Sequence, residues 1–195
     1  MAKKIAVANQ KGGVGKTTTA INLSAAMVQL GAKVLVVDID PQGNATSGLG
    51  ISKKDIKNCI YNTLVDEMPV SEVILKSKWK GLDVVPASIQ LAGAEIELVS
   101  QVSREEKLKR ALLPVETDYE YIIIDCPPSL GLLTLNALNA ADAVLIPIQC
   151  EYYALEGLGQ LMKTISLVRK HLNESLVIEG VVLTMYDMRT NLSEQ

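Results

Sequence analysis

The stretch Asn9-Gln10-Lys11-Gly12-Gly13-Val14-Gly15-Lys16-Thr17-Thr18 decides the fold. A short apolar run, Ile5 to Ala8, precedes it and predicts a strand; a longer one, Ala20 to Leu30, follows and predicts a helix. Strand, glycine-rich turn, Lys-Thr and helix, in that order, make a phosphate-binding loop. Glycines at 12, 13 and 15 let the backbone curl so that successive N–H groups face phosphate oxygens. The new helix adds its positive end to the same site. Within such a loop Lys16 reaches the β- and γ-phosphates and the Thr17 hydroxyl takes a place on Mg²⁺, while Val14 and Thr18 complete the run. The plain alternative is a glycine turn with a chance Lys-Thr behind it, and the elements on both sides weigh against that. The spacing departs from the usual Gly, four residues, Gly-Lys-Ser/Thr, because Gln10 stands where the first Gly would be. Lys11 inside the loop is either a solvated charge or a second phosphate ligand.

Lys33 to Asp38 (KVLVVD) is unbroken in its apolar character, which suits a parallel strand covered on both faces. It runs into Asp38-Ile39-Asp40-Pro41-Gln42-Gly43-Asn44-Ala45-Thr46. Two carboxylates at i and i+2 on a strand end point the same way. Pro41 and Gly43 favour a capped turn; beside a phosphate loop the sharper reading is a carboxylate that positions an attacking water. Tyr121 to Asp125 (YIIID) is a second such strand ending in Asp, the Walker B pattern, whose carboxylate holds Mg²⁺, usually through water. Alone that signal is weak, and paired with the first loop it is strong.

The remaining text alternates. Helices are expected over 55–67, 70–76, 89–99, 103–113, 132–140 and 151–171, and strands over 82–86, 143–147 and 177–184. The helix from about Lys16 to Leu30 is apolar on most faces and is expected to be buried, with Gly31 ending it. The alternation predicts an α/β fold: a P-loop three-layer sandwich with a mostly parallel sheet and helices on both faces. The loop, Asp40 and Asp125 all follow strand C-termini, the edge where open α/β sheets bind ligands. Lysines 53, 54, 57, 76, 78 and 80, and the basic residues from Arg104 to Arg110, read as solvated faces, and His171 as a solvated helix end.

At 195 residues one domain is the default, and 48% hydrophobic residues with no Phe and one Trp give it an aliphatic core. A net charge of −3 does not advertise nucleic-acid binding, although a local basic patch is enough for it. Cys59, Cys126 and Cys150 are widely spaced, lack CxxC spacing and suit a reducing compartment. No signal-peptide pattern opens the chain, and no apolar run reaches spanning length.

The loop resembles the deviant Walker A motif, KGGxGKT, of the ParA/MinD family of dimeric ATPases. DIDPQGNATSGLG, PASIQLAGAEIEL, IIIDCPPSLGLLTLNAL, PIQCEYYALEGL and LTMYDMRTN extend the likeness over the whole chain and are most similar to the chromosomal ParA subgroup. The resemblance implies an ATPase that binds ATP or ADP with Mg²⁺ and forms a homodimer around two nucleotides. It then binds double-stranded DNA without sequence preference and drives chromosome or plasmid partitioning. A ParB-type partner stimulates hydrolysis and releases it. Lys11 would reach across the dimer to the partner's nucleotide, and Asp40 would be the hydrolytic carboxylate of the first switch. Thr17, Asp40 and Asp125 would serve the metal. The implied location is the cytoplasm, on the nucleoid and not on a membrane. Chains of the family run further, so residues 1–195 are expected to be a single ATPase domain lacking its C-terminal part. Arg189, in a stretch with no apolar pattern, is the candidate DNA contact. A MinD-like membrane ATPase of division-site placement is the alternative. A small-molecule kinase or ligase on the same fold is a third reading.

Overall fold

The computed structural model describes residues 1–150 and 154–186. Its strands are β1 (Lys3–Val7), β2 (Val34–Asp38), β3 (Leu75–Lys76), β4 (Leu82–Val85), β5 (Tyr121–Asp125), β6 (Ala143–Gln149) and β7 (Val177–Thr184). They form one sheet in the order β3-β4-β2-β5-β1-β6-β7. Every pairing is parallel except that of β3 with β4. The helices are α1 (Lys16–Gln29), α2 (Asn44–Gly48), α3 (Ile60–Leu64), α4 (Leu91–Glu97), α5 (Lys107–Leu112), α6 (Leu132–Ala140) and α7 (Ala154–His171).

The strands carry two apolar faces because both sides of the sheet are covered. Ile5, Val7, Val34, Val36 and Ile123 face one buried cluster, together with Ala20 of α1 and Ala45 of α2. Their chain neighbours Ala6, Leu35, Val37, Ile122 and Ile124 face the other, against residues of α3 to α7. The period of two thus splits one apolar run between two layers. At one edge β7 keeps Val181 and Leu183 exposed.

Long regular elements match the sequence reading, and the polar middle does not. Instead of helices over 55–67 and 70–76, the chain forms the five-residue α3, a 3-10 turn at Val70–Glu72 and the short strand β3. Leu75 and Lys76 pair with the edge of β4, so a vacant ladder outweighs weak helix propensity there. The segment after Asp40 holds a short helix, α2, where a turn is expected. The helix expected over 103–113 begins only at Lys107, because Ser103 is left-handed at φ 53 and breaks the run. Nor is α1 buried on most faces: Lys16, Ala20 and Ser24 alone are buried along it, an i, i+4 stripe. Gly31 does end it, with φ 96.

Ile123 lies fully buried at the centre of the sheet. Ile123→Ala should destabilise the fold by about 3 kcal/mol through lost burial and the cavity left behind. Urea unfolding would show a lower midpoint with an unchanged slope.

Candidate functional site

The loop between β1 and α1 takes its shape from two left-handed glycines, Gly13 at φ 76 and Gly15 at φ 85. Gly15 also needs its missing side chain, since a Cβ there would stand 3.3 Å from Thr184 Cγ2. Neighbouring strands brace the loop. The Thr184 hydroxyl, at the end of β7, donates to the Val14 carbonyl at 2.9 Å. The Asn9 amide donates to the Pro147 carbonyl of β6 at 2.7 Å, and its oxygen accepts the Lys11 N–H at 3.0 Å. The Lys16 ammonium turns back to donate to the Lys11 carbonyl at 2.9 Å. Burial lowers its pKa, against the raising influence of Asp125, Cys126 and Asp40. Helix α1 has no side-chain cap and no acidic residue in its first turn, so no side chain of that turn claims its first N–H groups or offsets its positive end.

Three carboxylates meet at the strand ends. Asp38 and Asp125 are register partners on β2 and β5, both fully buried. Asp38 accepts the Thr46 N–H at 2.8 Å, the Thr46 hydroxyl at 2.7 Å and the Asp40 N–H at 3.2 Å. Burial still raises its pKa to about 6. Asp125 is less well served: neither carboxylate oxygen has a hydrogen-bond partner. The Thr17 hydroxyl lies near enough to favour the charged form but makes no well-formed bond. Burial, then the charge of Asp38, pushes Asp125 up to about 7. Asp40, 7% exposed, is held differently, one oxygen accepting the Gln42 N–H at 2.9 Å.

A buried carboxylate with no donor, beside a threonine hydroxyl and a lysine, fits a hard cation. No closed cage of three or more His, Cys, Asp or Glu side chains exists among the described residues.

A cavity of about 320 Å³ opens over this group. Gly12, Gly13, Gly15, Lys16, Thr17, Thr18 and Asp40 line it, as the sequence leads one to expect. Val14 does not line it: its side chain is buried and its carbonyl accepts the Thr184 hydroxyl. Asp125 and Lys11 flank the cavity and do not line it. Gln42, Asn44, Pro128 and Met185 join the lining. All four, like Asn9 and Thr184, lie in stretches already quoted, but their sequence does not signal that Asn9, Thr184 and Met185 come together at the loop. Arg189 lies outside the described residues. A larger concavity, about 670 Å³, lies at the opposite strand ends between Lys33, Trp79 and Tyr119. Its one buried carboxylate, Asp83, is already satisfied by Lys76 and Tyr119 at 2.6 and 2.8 Å.

Comparison with known proteins agrees with this geometry. The AAA domain family model AAA_31 matches residues 2–178. Sporulation initiation inhibitor protein Soj of Bacillus subtilis is 65% identical over 195 residues, which is 100% of this chain and 77% of that one. Chromosome partitioning protein ParA of Myxococcus xanthus is 58% identical over 98% of this chain and 68% of its own. The chain belongs to the ParA/MinD family of ATPases.

Solved structures of the same fold include cobyrinic acid a,c-diamide synthase from Mycobacterium smegmatis with a bound ATP analog and magnesium. It has a TM-score of 0.96 and 44% identity, covering 100% of this chain and 79% of that one. A plasmid partition protein from Borrelia burgdorferi has a TM-score of 0.83 and 30% identity, covering 99% and 82%. The ParA/MinD loop is therefore already in its folded shape here, with its carboxylates gathered and one of them short of a partner.

That shortage has a pH signature. An acid whose pKa is raised by folding costs stability as pH rises from its unfolded value, about 3.8, through its folded value, about 7 for Asp125. Ligand-free protein should thus lose stability between about pH 4 and pH 7. Asp125→Asn should flatten that slope and melt higher than the parent at pH 8. Thermal melts of both proteins across this range would check it.

Proposed function

We propose that this chain carries the ATPase machinery of a ParA-type partition protein, with Mg²⁺–ATP held in the loop cavity. The observation that carries the reading is the Asp125 carboxylate, buried without a hydrogen-bond partner beside Lys16 and Thr17. Backbone N–H groups of residues 12–18 hold the phosphates, and Lys16 exchanges its bond to the Lys11 carbonyl for the β- and γ-phosphate oxygens. Thr17, Asp40 and Asp125 would hold the metal. When bound, Mg²⁺ neutralises charge that builds on the phosphate oxygens. Asp40 orients the water that attacks the γ-phosphorus, and the bond to ADP breaks as phosphate leaves. The Gln42 N–H fixes the Asp40 side chain for this task. Asp38 takes no part in the chemistry, since its oxygens are committed to Thr46 and the Asp40 backbone.

The wider reading extends to the assembly. Two copies sandwich two nucleotides, with Lys11 of each reaching the other's phosphate. The dimer binds double-stranded DNA non-specifically, Arg189 being a candidate contact, and a ParB-type partner stimulates turnover, in the cytoplasm on the nucleoid. The names of the bacterial relatives support it. Among the described residues no helix is long and apolar enough to cross a membrane. The synthase structure also holds an ATP analog and magnesium, but its name is that of a synthase and not of a partition protein. Phosphate release with water as the sole acceptor separates the two.

Asp40→Ala should leave ATP affinity within a few-fold of the parent and slow turnover by about 100-fold, the worth of a positioned catalytic group. A nucleotide titration together with a phosphate-release assay decides it, and normal turnover would remove Asp40 from the mechanism. Lys11→Ala should still bind one nucleotide per subunit yet fail to dimerise with ATP. Light scattering that shows an ATP-dependent dimer as in the parent would end the cross-subunit role.

A further inference from the structure

The strand ends opposite the phosphate loop enclose the concavity of about 670 Å³. Sheet order explains its walls. The start of β2 lies between the starts of β4 and β5, so Lys33, just before β2, sits between the β3–β4 hairpin and the loop that leads into β5. The hairpin contributes Lys76, Trp79 and Lys80 to the lining, and the loop contributes Asp118 and Tyr119. Asp83 ties the two walls together, because it accepts from the Lys76 ammonium at 2.6 Å and from the Tyr119 hydroxyl at 2.8 Å. Burial and that carboxylate raise the pKa of Tyr119, so its hydroxyl stays a donor. The cavity is thus shaped before any ligand arrives.

Its lining goes beyond a solvated face of lysines. Trp79 is the only tryptophan in a chain without phenylalanine, and it is left 46% exposed. An indole held out of the core, against a concavity, offers a face for stacking. Lys33 and Lys80 line the same space, and neither ammonium has a carboxylate within ion-pair distance among the described residues. Exposed Asp118 and Thr117 add acceptors.

An aromatic face, two uncommitted cations and a carboxylate acceptor make a nucleotide's complement. The volume falls within the roughly 300–1,000 Å³ of small-ligand sites. We propose that this concavity is a second nucleotide site, which takes a single base carrying a terminal phosphate. The base stacks on Trp79, the phosphate oxygens meet Lys33 and Lys80, and donors of the sugar or base meet Asp118. Duplex DNA fits poorly, because its bases already stack on one another and its row of phosphates would meet exposed Asp118 and Glu120 as well as the lysines. An anionic lipid surface would meet the same two carboxylates. The site shares no residue with the phosphate-loop cavity, so the proposal does not rest on the partition reading.

Trp79 supplies its own probe, being the chain's single indole. Titration with AMP should quench its emission to a plateau. Adenosine, which lacks the phosphate, should need at least about tenfold more for half-quench, as loss of charge-assisted bonds requires. Lys33→Ala/Lys80→Ala alters two exposed positions; it should need at least about tenfold more AMP and melt as the parent does. Trp79→Ala removes the fluorophore and is read by equilibrium dialysis of labelled AMP, with affinity expected to fall at least about fivefold. A 5′-phosphorylated single-stranded oligonucleotide, compared with AMP, tells a strand end from a free nucleotide, and tighter binding of either supports the site. No quench at millimolar AMP would overturn the proposal. So would a quench that the double lysine variant leaves unaltered, AMP binding that Trp79→Ala leaves unaltered, or a response to duplex DNA or anionic vesicles without one to AMP.

Discussion

The site depends on one electrostatic constraint: parallel pairing of β2 with β5 puts two carboxylates side by side in a buried sheet end. Asp38 and Asp125 share a register position, and neither can reach bulk water. Burying a charge is costly unless it is paired or hydrogen-bonded. The chain meets that cost for Asp38 alone, through Thr46 and the Asp40 N–H. Asp125 is left with a nearby lysine, a nearby hydroxyl and no bond. In the proposed function, a cation shared with phosphate oxygens is the partner left to Asp125.

The division between the two buried aspartates has a structural purpose. Asp38 spends its oxygens on the start of α2, so it fixes the backbone that carries Asp40 and Gln42. Asp125 spends nothing, and so it can serve a metal. Asp40 is the least buried of the three, and one of its oxygens accepts the Gln42 N–H at 2.9 Å. Three residues of one type thus sit in three different states, set by their hydrogen-bond partners.

Stiffness of the phosphate loop has a similar origin. Glycines make the curl possible, but they do not hold it. Asn9 and Thr184 do, by tying the loop to β6 and β7. The outermost strand in the sheet order therefore reaches the site directly, through a hydroxyl 170 positions from the carbonyl it bonds. Ala87 reaches it from the other side through Thr46. The phosphate loop and the segment after Asp40 are in this way held by residues distant in the chain.

Much of this protein was legible in its residues. The glycine-rich loop, the unbroken runs at 34–38 and 121–125 and their terminal aspartates are local signals, because period, propensity and strand ends are written within a few residues of each other. The parallel α/β order followed from alternation. The segment from 55 to 76 was misread as helical, since its real structure is decided by an available edge of β4 rather than by its own propensity. Likewise α1 looks buried in sequence and is half exposed, because only a stripe of it meets the sheet. Tertiary structure alone decided which aspartate is satisfied and which is not, that Thr184 and Asn9 brace the loop, and that Lys33, Trp79 and Lys80 line one concavity at the opposite strand ends. Each of these is a contact between residues distant in the chain, and a sequence records the types of such residues but not the distance that folding leaves between them.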